Sequence, residues 1–463
     1  MLPGTALGVL VGDLAYTWLA VRLARRTGRA DVTAMPFGID TPTLFAMVFG
    51  VLGPVKLATG DAALAWKVGM ATTLAIGLAK LGLAFGGDWA RRVVPRAALL
   101  GSIAGVAILL IAFLPTLKIL RDPLVGLVAL GVLLLALFSG VRMPWGLPGA
   151  FAAALAGTLI YWGRAGLGAG HEAATLAIGT PRLALPWPTL AWLDALGATL
   201  PYLSIALPFA LVTIIGGIDN TESAAAAGDE YRTRDILLTE AAATLVAGLC
   251  GGVIQNTPYI GHPAYKAMGA RAGYTLATGL VIGLGAATGL LSILVALLPE
   301  AAIAPILVFI GLEITAQAFL ASPPRHGAAV ALTFVPAAAA VVLIVTGGML
   351  SALGASPASL TGEAAATHRA LLVLGNGFIL TSVLWGWALV TIIERRFAVT
   401  AGLCAVASLA TLFGVIHSPL ASGALFWPWA VASPVPARLA GAYGVLAALA
   451  WLAATRAARR ISP

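Results

Sequence analysis

Apolar runs bounded by glycine, proline or charge follow one another along nearly the whole chain, about fifteen of them between positions 3 and 456. A helical bilayer crossing takes about 20 apolar residues, and with short connections roughly 30 residues of chain serve each span. The 463 residues therefore accommodate a span for nearly every run. Hydrophobic residues make up 60% of the chain and charged residues only 10%, whereas a soluble domain carries about 25% charged residues. No soluble core hides that much apolar surface. The expected fold class is an all-α polytopic membrane protein.

The net charge of +9 does not signal nucleic acid, because the basic residues stand singly or in small clusters between apolar runs. With alternate loops placed on the same side, 18 Lys and Arg residues collect on one face and 8 on the other, with Lys80 inside a span. The positive-inside rule makes the richer face cytoplasmic, with the C-terminus inside and the N-terminus outside. A multi-pass protein of the cell (inner) membrane is expected. The opening residues lack a basic leading region and read as a retained span, not a cleaved signal. Cys250 and Cys404 sit in apolar segments and form neither a disulfide framework nor a metal-ligand spacing. Sequence signatures of hydrolases, zinc proteases and P-loop enzymes are missing, so an enzyme, a cofactor and a metal are not expected.

Two runs are too short or too interrupted for ordinary spans. Met35 to Pro54 opens with MPFGIDTP and Val253 to Met268 with VIQNTPYIGHP. Proline removes an amide donor and crowds the preceding turn, so neither run makes a continuous helix. Irregular backbone at bilayer depth persists only where protein or water surrounds it, and such segments in both halves of a chain point to a transporter's binding site. Each follows a glycine-containing span, residues 3 to 24 and 236 to 252. This weak symmetry predicts an inverted-repeat transporter with two broken half-helix spans.

An ionisable side chain at bilayer depth is costly unless paired, neutralised or hydrated, so each is a candidate for function. Asp13, Lys80, Asp219, Glu222, Glu240, His262 and Glu313 are such residues. Asp219 and Glu222, in GGIDNTESAAAAGDEY, lie three apart and share a helix face beside Ser223, and the alanines that follow admit a close neighbour. A carboxylate placed there can exchange a proton and accept hydrogen bonds from a ligand's N–H groups. The competing reading is a solvated cytoplasmic helix end neutralised by Arg232 and Arg234. In the second broken run, a half-helix starting near Pro263 aims free amides at the midplane, with Tyr259 offering an aromatic face. His262 brings a titratable ring that binds ligand or bonds to backbone. In the first, Phe37 and Gly38 follow Pro36 as Tyr259 follows Pro258, and Asp40 with Thr41 would cap a helix from Pro42. Asp13 and Lys80 have opposite charge and would pair between spans. Glu313 and Gln317, one turn apart, line a pathway or bond to a neighbour.

TAMPFGIDTPTLFAMVFG, DNTESAAAAGDEYRTRDILLTEAAATLVAGLCGG and TPYIGHPAYKAMGARAGY together resemble the successive motifs of the nucleobase-ascorbate (xanthine/uracil) permeases over about residues 1 to 392. The resemblance implies two inverted repeats of seven spans and proton-coupled uptake of a purine or pyrimidine base. Substrate would be carried by a core domain (residues 1–90 and 190–298) moving against a gate domain (91–165 and 299–392). Residues 393–463 form two extra spans, and the family's first span is missing. By position, Glu222, Phe37, Gly38, Tyr259, Ile260, Gly261 and His262 would bind substrate, and Glu222, Asp219 and Glu240 would couple protons. Many members carry Glu or Gln, often followed by Asn, where this chain has Gly261 and His262, so a side-chain contact to the base is lost or moved to His262. Partners implied are the nucleobase, a proton or sodium ion, the lipid bilayer and a second copy in a homodimer. The alternative on the same fold is an anion transporter resembling the SulP group, against which the Glu222 carboxylate weighs. A non-transporting membrane sensor or enzyme is the alternative of a different class.

Overall fold

The computed structural model describes residues 1–40, 43–44, 47–167 and 183–459; Thr41 and Pro42 lie outside them. Helix α1 (Leu2–Thr27) ends at Gly28, whose φ of 66° lets its amide return to the Ala24 carbonyl. The chain then doubles back through strand β1 (Phe37–Ile39), and a π-helical turn at Met47–Leu52 leads into α2 (Gly53–Thr59). Asp61 starts α3 (Ala62–Val93) by accepting the amides of Ala63 and Leu64. Helices α4 (Arg96–Arg121), α5 (Pro123–Leu137) and α6 (Gly149–Gly166) complete the first half.

The second half runs through α7 (Leu203–Ala226), α8 (Thr233–Leu249), strand β2 (Asn256–Pro258), α9 (His262–Ala267) and α10 (Tyr274–Thr288). Helices α11 (Glu300–Leu320), α12 (Pro324–Ala352), α13 (Gly362–Gly375) and α14 (Phe378–Ile393) follow, then α15 (Phe397–Leu412) and α16 (Val435–Arg459). Among the described residues α1, α3, α4, α11, α12 and α16 are long and apolar enough to cross a membrane, and α13 and α14 together make a span bent by 74°. The expected runs at 123–140, 273–298 and 397–416 hold shorter apolar helices.

The inverted repeat is visible in the packing. Helix α1 packs along α10 and α8, and α8 packs along α3. Each helix that precedes a broken segment thus lies on the helix that follows the other one. Small residues permit these close approaches. A Cβ on Gly8 would stand 2.3 Å from the Asn256 amide and one on Gly12 2.0 Å from the Phe37 ring, while Gly77 meets Leu245 and Gly248 meets Leu74. A second group, α4, α5, α6, α11, α12 and α14, packs within itself, and α7 touches both groups. The C-terminal pair α15 and α16 docks on α14, where the Trp385 indole donates to the Tyr443 hydroxyl at 2.7 Å. Among the described residues the fold is all-α apart from one two-stranded ribbon, with several helices long and apolar enough to cross a membrane and with the two interrupted runs drawn from opposite halves of the chain.

Candidate functional site

The two broken runs meet. β1 and β2 pair antiparallel with Phe37 opposite Pro258, Gly38 opposite Thr257 and Ile39 opposite Asn256. The ladder extends at both ends, from the Tyr259 amide to the Pro36 carbonyl (2.7 Å) and from the Asp40 amide to the Gln255 carbonyl (3.3 Å). A two-stranded ribbon alone is marginal, so surrounding helices must hold it. Asn220 of α7 donates its side-chain amide to the Pro258 carbonyl at 2.9 Å. Thr244 of α8 accepts the Asn256 amide and donates back to the Asn256 carbonyl, both at 3.2 Å. Phe37 is buried edge-on against Tyr16 of α1, centroids 5.0 Å apart, so its ring serves packing. Gly38 has nothing within 4 Å of where a Cβ would stand, and it marks open space against the crossing.

Lys80 is fully buried beneath this crossing. Its ammonium pairs with Glu240 at 2.6 Å and donates to the Asn256 carbonyl at 2.9 Å. The expected pairing of Lys80 with Asp13 is therefore incorrect. Asp13 faces α10 instead, where the Thr278 hydroxyl donates to it at 3.2 Å. The sequence offers opposite charges but not their azimuth, and Glu240 on α8 is the acid that α3 meets.

The acidic face of α7 is a seam between the two helix groups. Glu222 has both oxygens engaged, one by Arg91 Nε at 2.6 Å and the other by Arg96 Nε. Asp219, 1% exposed, is bonded to Ser102 of α4, and Ser223 and Gln317 of α11 exchange two hydrogen bonds, at 2.6 and 2.9 Å. The reading of a solvated helix end neutralised by Arg232 and Arg234 is wrong for Asp219 and Glu222. Both are buried, and Glu222 is neutralised by arginines at the α3–α4 corner. A cavity of about 490 Å³ opens beside Glu222, lined by Arg26, Arg91, Arg92, Arg232, Tyr231 and the acids Asp88 and Glu230.

At the second broken segment Gly261 adopts a φ of 141°, and a Cβ there would lie 3.0 Å from the Tyr265 ring. Gly261 has no side chain to offer a substrate, and another residue here would be strained, because strand turns to helix in a conformation that L side chains rarely take. Ile260 packs with Ile310 and Ile314 of α11. His262 is buried and bonds Asp229 at 3.0 Å. Asp229, in the loop after α7, also binds Lys266 (2.7 Å), Arg29 (3.2 Å) and the Thr33 amide (3.0 Å). Burial pushes its carboxyl up, but the His262 and Lys266 hydrogen bonds and the Thr33 amide outweigh that and hold it below the ordinary range. Asp31, exposed beside Arg29, is held at about 2 by that guanidinium.

A polar chain ties the first half-helix to the second segment. Asp40 caps Thr43, as expected, with the Thr43 amide at 3.0 Å. The Gln255 amide donates to the Thr43 hydroxyl at 2.5 Å, and Thr213 of α7 donates to Gln255 at 3.1 Å. Gln255, Thr213, Arg91, Arg96 and Asp229 escaped the sequence reading. Their partners lie tens to more than two hundred residues away, and only the glutamine within QNTPYIGHP hinted at its place.

No family model and no curated protein matches the chain. Among solved structures it is similar to the transmembrane domain of a cyanobacterium bicarbonate transporter, BicA, with 17% identity, a TM-score of 0.44, and coverage of 74% of this chain and 95% of that one. It is also similar to SLC26A9, at 12% identity and a TM-score of 0.44, covering 73% of this chain and 61% of that one. The expected membership of the nucleobase-ascorbate family is corrected: no family model matches the chain, and neither solved structure it is similar to is named as a nucleobase permease.

Proposed function

We propose that the chain is a proton-coupled secondary transporter of a small anion, in which the strand crossing is the carrying site. The observation that supports this most is the crossing itself. Two interrupted spans from opposite halves pair at Gly38 and Thr257 inside a helical bundle, with open space at Gly38. The helices around the crossing, α1, α3, α7, α8 and α10, would form the carrying core, and α4 to α6 with α11 to α14 the body it moves against. Charge favours an anion. The carboxylate that weighed against one, Glu222, is offset by Arg91 and Arg96, and four arginines line the neighbouring cavity against three acids. That cavity is the cytoplasmic mouth if the basic face is inside.

Asp219 is the residue proposed to carry the proton. The Ser102 hydroxyl lies within hydrogen-bond distance of both Asp219 and the Leu99 carbonyl (3.0 Å), yet it owns one proton. Either serine donates to the carboxylate, or a protonated Asp219 donates to serine and serine to Leu99. The contact serves both states of the acid. Glu240, held by Lys80, is not the proton carrier in this reading.

The test is uptake by purified protein in liposomes, offering labelled bicarbonate, sulfate or chloride under an inward proton gradient. Uptake of one of these, quickened by external acid and abolished by a protonophore, is expected, with the acid stimulation lost in Asp219→Asn. Uptake of labelled uracil or xanthine that none of the anions inhibits would refute it.

A further inference from the structure

The buried Lys80 ammonium has the ligands of a metal cation. Its Nζ sits 2.6 Å from a Glu240 oxygen and 2.9 Å from the Asn256 carbonyl, and both charged side chains are 0% exposed. That carbonyl belongs to the unwound strand of a broken span, where main-chain oxygens serve as ligands for coupling cations in transporters of this architecture. Carboxylate and carbonyl oxygens are the donors that hard cations take. Asp40, the cap of the first half-helix, is close enough to act electrostatically on both Lys80 and Glu240. The Thr244 hydroxyl shares the Asn256 carbonyl at 3.2 Å. Without the ammonium the buried Glu240 carboxylate would be left beside a main-chain carbonyl with no cation between them. A buried ion pair is seldom worth more to stability than the apolar residues that could replace it, so a structural role alone is a weak account of this one.

We propose that Lys80 is a tethered cation that fills the sodium position of the strand crossing, making transport independent of sodium, and that removing its amine creates a sodium site. This deepens the transporter reading above and names the coupling ion that the site does not need. The amine reaches the crossing from α3, so a covalently attached charge replaces one that would have to be bound and released in each cycle.

The experiment compares wild type with Lys80→Ala and Lys80→Gln in sodium chloride against potassium chloride at equal ionic strength. The readouts are thermal stability of the detergent-solubilised full-length chain and binding of ²²Na⁺, neither of which depends on knowing the solute. Wild type should show no sodium-specific shift and no bound sodium. The variants should bind sodium and gain roughly 4 °C or more when it saturates the site. Lys80→Gln keeps a side chain that can hydrogen-bond Glu240 and Asn256, which preserves the test if Lys80→Ala does not fold. The Lys80→Met/Glu240→Gln double variant, with no acid to fill, should not respond. Sodium-specific stabilisation of wild type, or folded single variants that ignore sodium, overturns the proposal. Failure of anion uptake with these sodium results intact would count against the solute alone.

Discussion

Replacing Glu222 with glutamine should loosen the seam between α7 and the α3–α4 corner. The carboxylate is 6% exposed, and its partners Arg91 and Arg96 are 14% and 48% exposed. Breaking a buried pair costs about 3–5 kcal/mol because a charge is stranded, whereas an exposed pair is worth about 0–1 kcal/mol. Glu222 lies between these limits. Arg91 keeps Glu230 at 2.9 Å and Arg96 can turn to water, so neither arginine is stranded. The loss is about 2 kcal/mol, which moves the balance between closed and open seam by roughly 30-fold. Leu99 of α4, 2% exposed and in one apolar cluster with Ile214 and Ile218 of α7, reports on that balance. With Cys250 and Cys404 replaced by serine, Leu99→Cys should be alkylated by a maleimide about 30-fold faster in the Glu222→Gln background. Equal rates in both backgrounds would show that the two arginine contacts do not hold the seam shut.

Two further substitutions test the scaffold. Gly12→Ala places a methyl group 2.0 Å from the Phe37 ring and should cost about 1–3 kcal/mol by overpacking, read as a lower melting temperature that Phe37→Leu partly restores. Asp229→Asn tests linkage with pH. The folded carboxyl lies below its unfolded value of about 4, so its contribution to stability is fully present above that value and is lost as pH falls through the folded one. In a His262→Gln background, which removes the imidazole that titrates beside it, the loss of melting temperature caused by Asp229→Asn should therefore be flat between about pH 5 and 8 and close below about pH 4. A loss that grows in acid in that background would mean the carboxylate is not what Lys266 and the Thr33 amide hold.

The architecture was legible in the sequence because proline and glycine within an apolar run leave the backbone few options. MPFGIDTP and QNTPYIGHP can only be interrupted spans, and the structure pairs them residue against residue. Asp40 read correctly as a cap because capping is decided within three residues. Charge pairing was not legible. Lys80 could choose among acids on several spans, and whether it meets Asp13 or Glu240 depends on helix azimuth, which near-uniform apolar helices do not encode. The same limit hid the partners of Glu222. Its face was right, but its partners Arg91 and Arg96 stand 131 and 126 residues earlier and reach it only because α3 and α4 turn back at that corner. Fragments matching a family's motifs recorded the local constraint of an acid followed by alanines, and the constraint serves helix contact as well as ligand binding.

The seam also bears on how a proton and a solute could move together. Asp219, Glu222 and Ser223 occupy one stretch of α7, and each has a partner in the opposing helix group, Ser102, Arg96 and Gln317, while Glu222 also holds Arg91 of α3. Any motion of the carrying helices along those partners must break the three contacts together, since they share one rigid helix. Opening separates Asp219 from Ser102 and admits water to a carboxyl whose other oxygen has no hydrogen-bond donor among the described residues. In the proposed cycle, proton exchange at Asp219 would be tied to the step that uncovers the strand crossing, which Asn220 fastens to the same turn of α7. Coupling in this scheme needs no direct contact between proton and solute. It requires only that one helix present the acid to the seam and the amide to the strand.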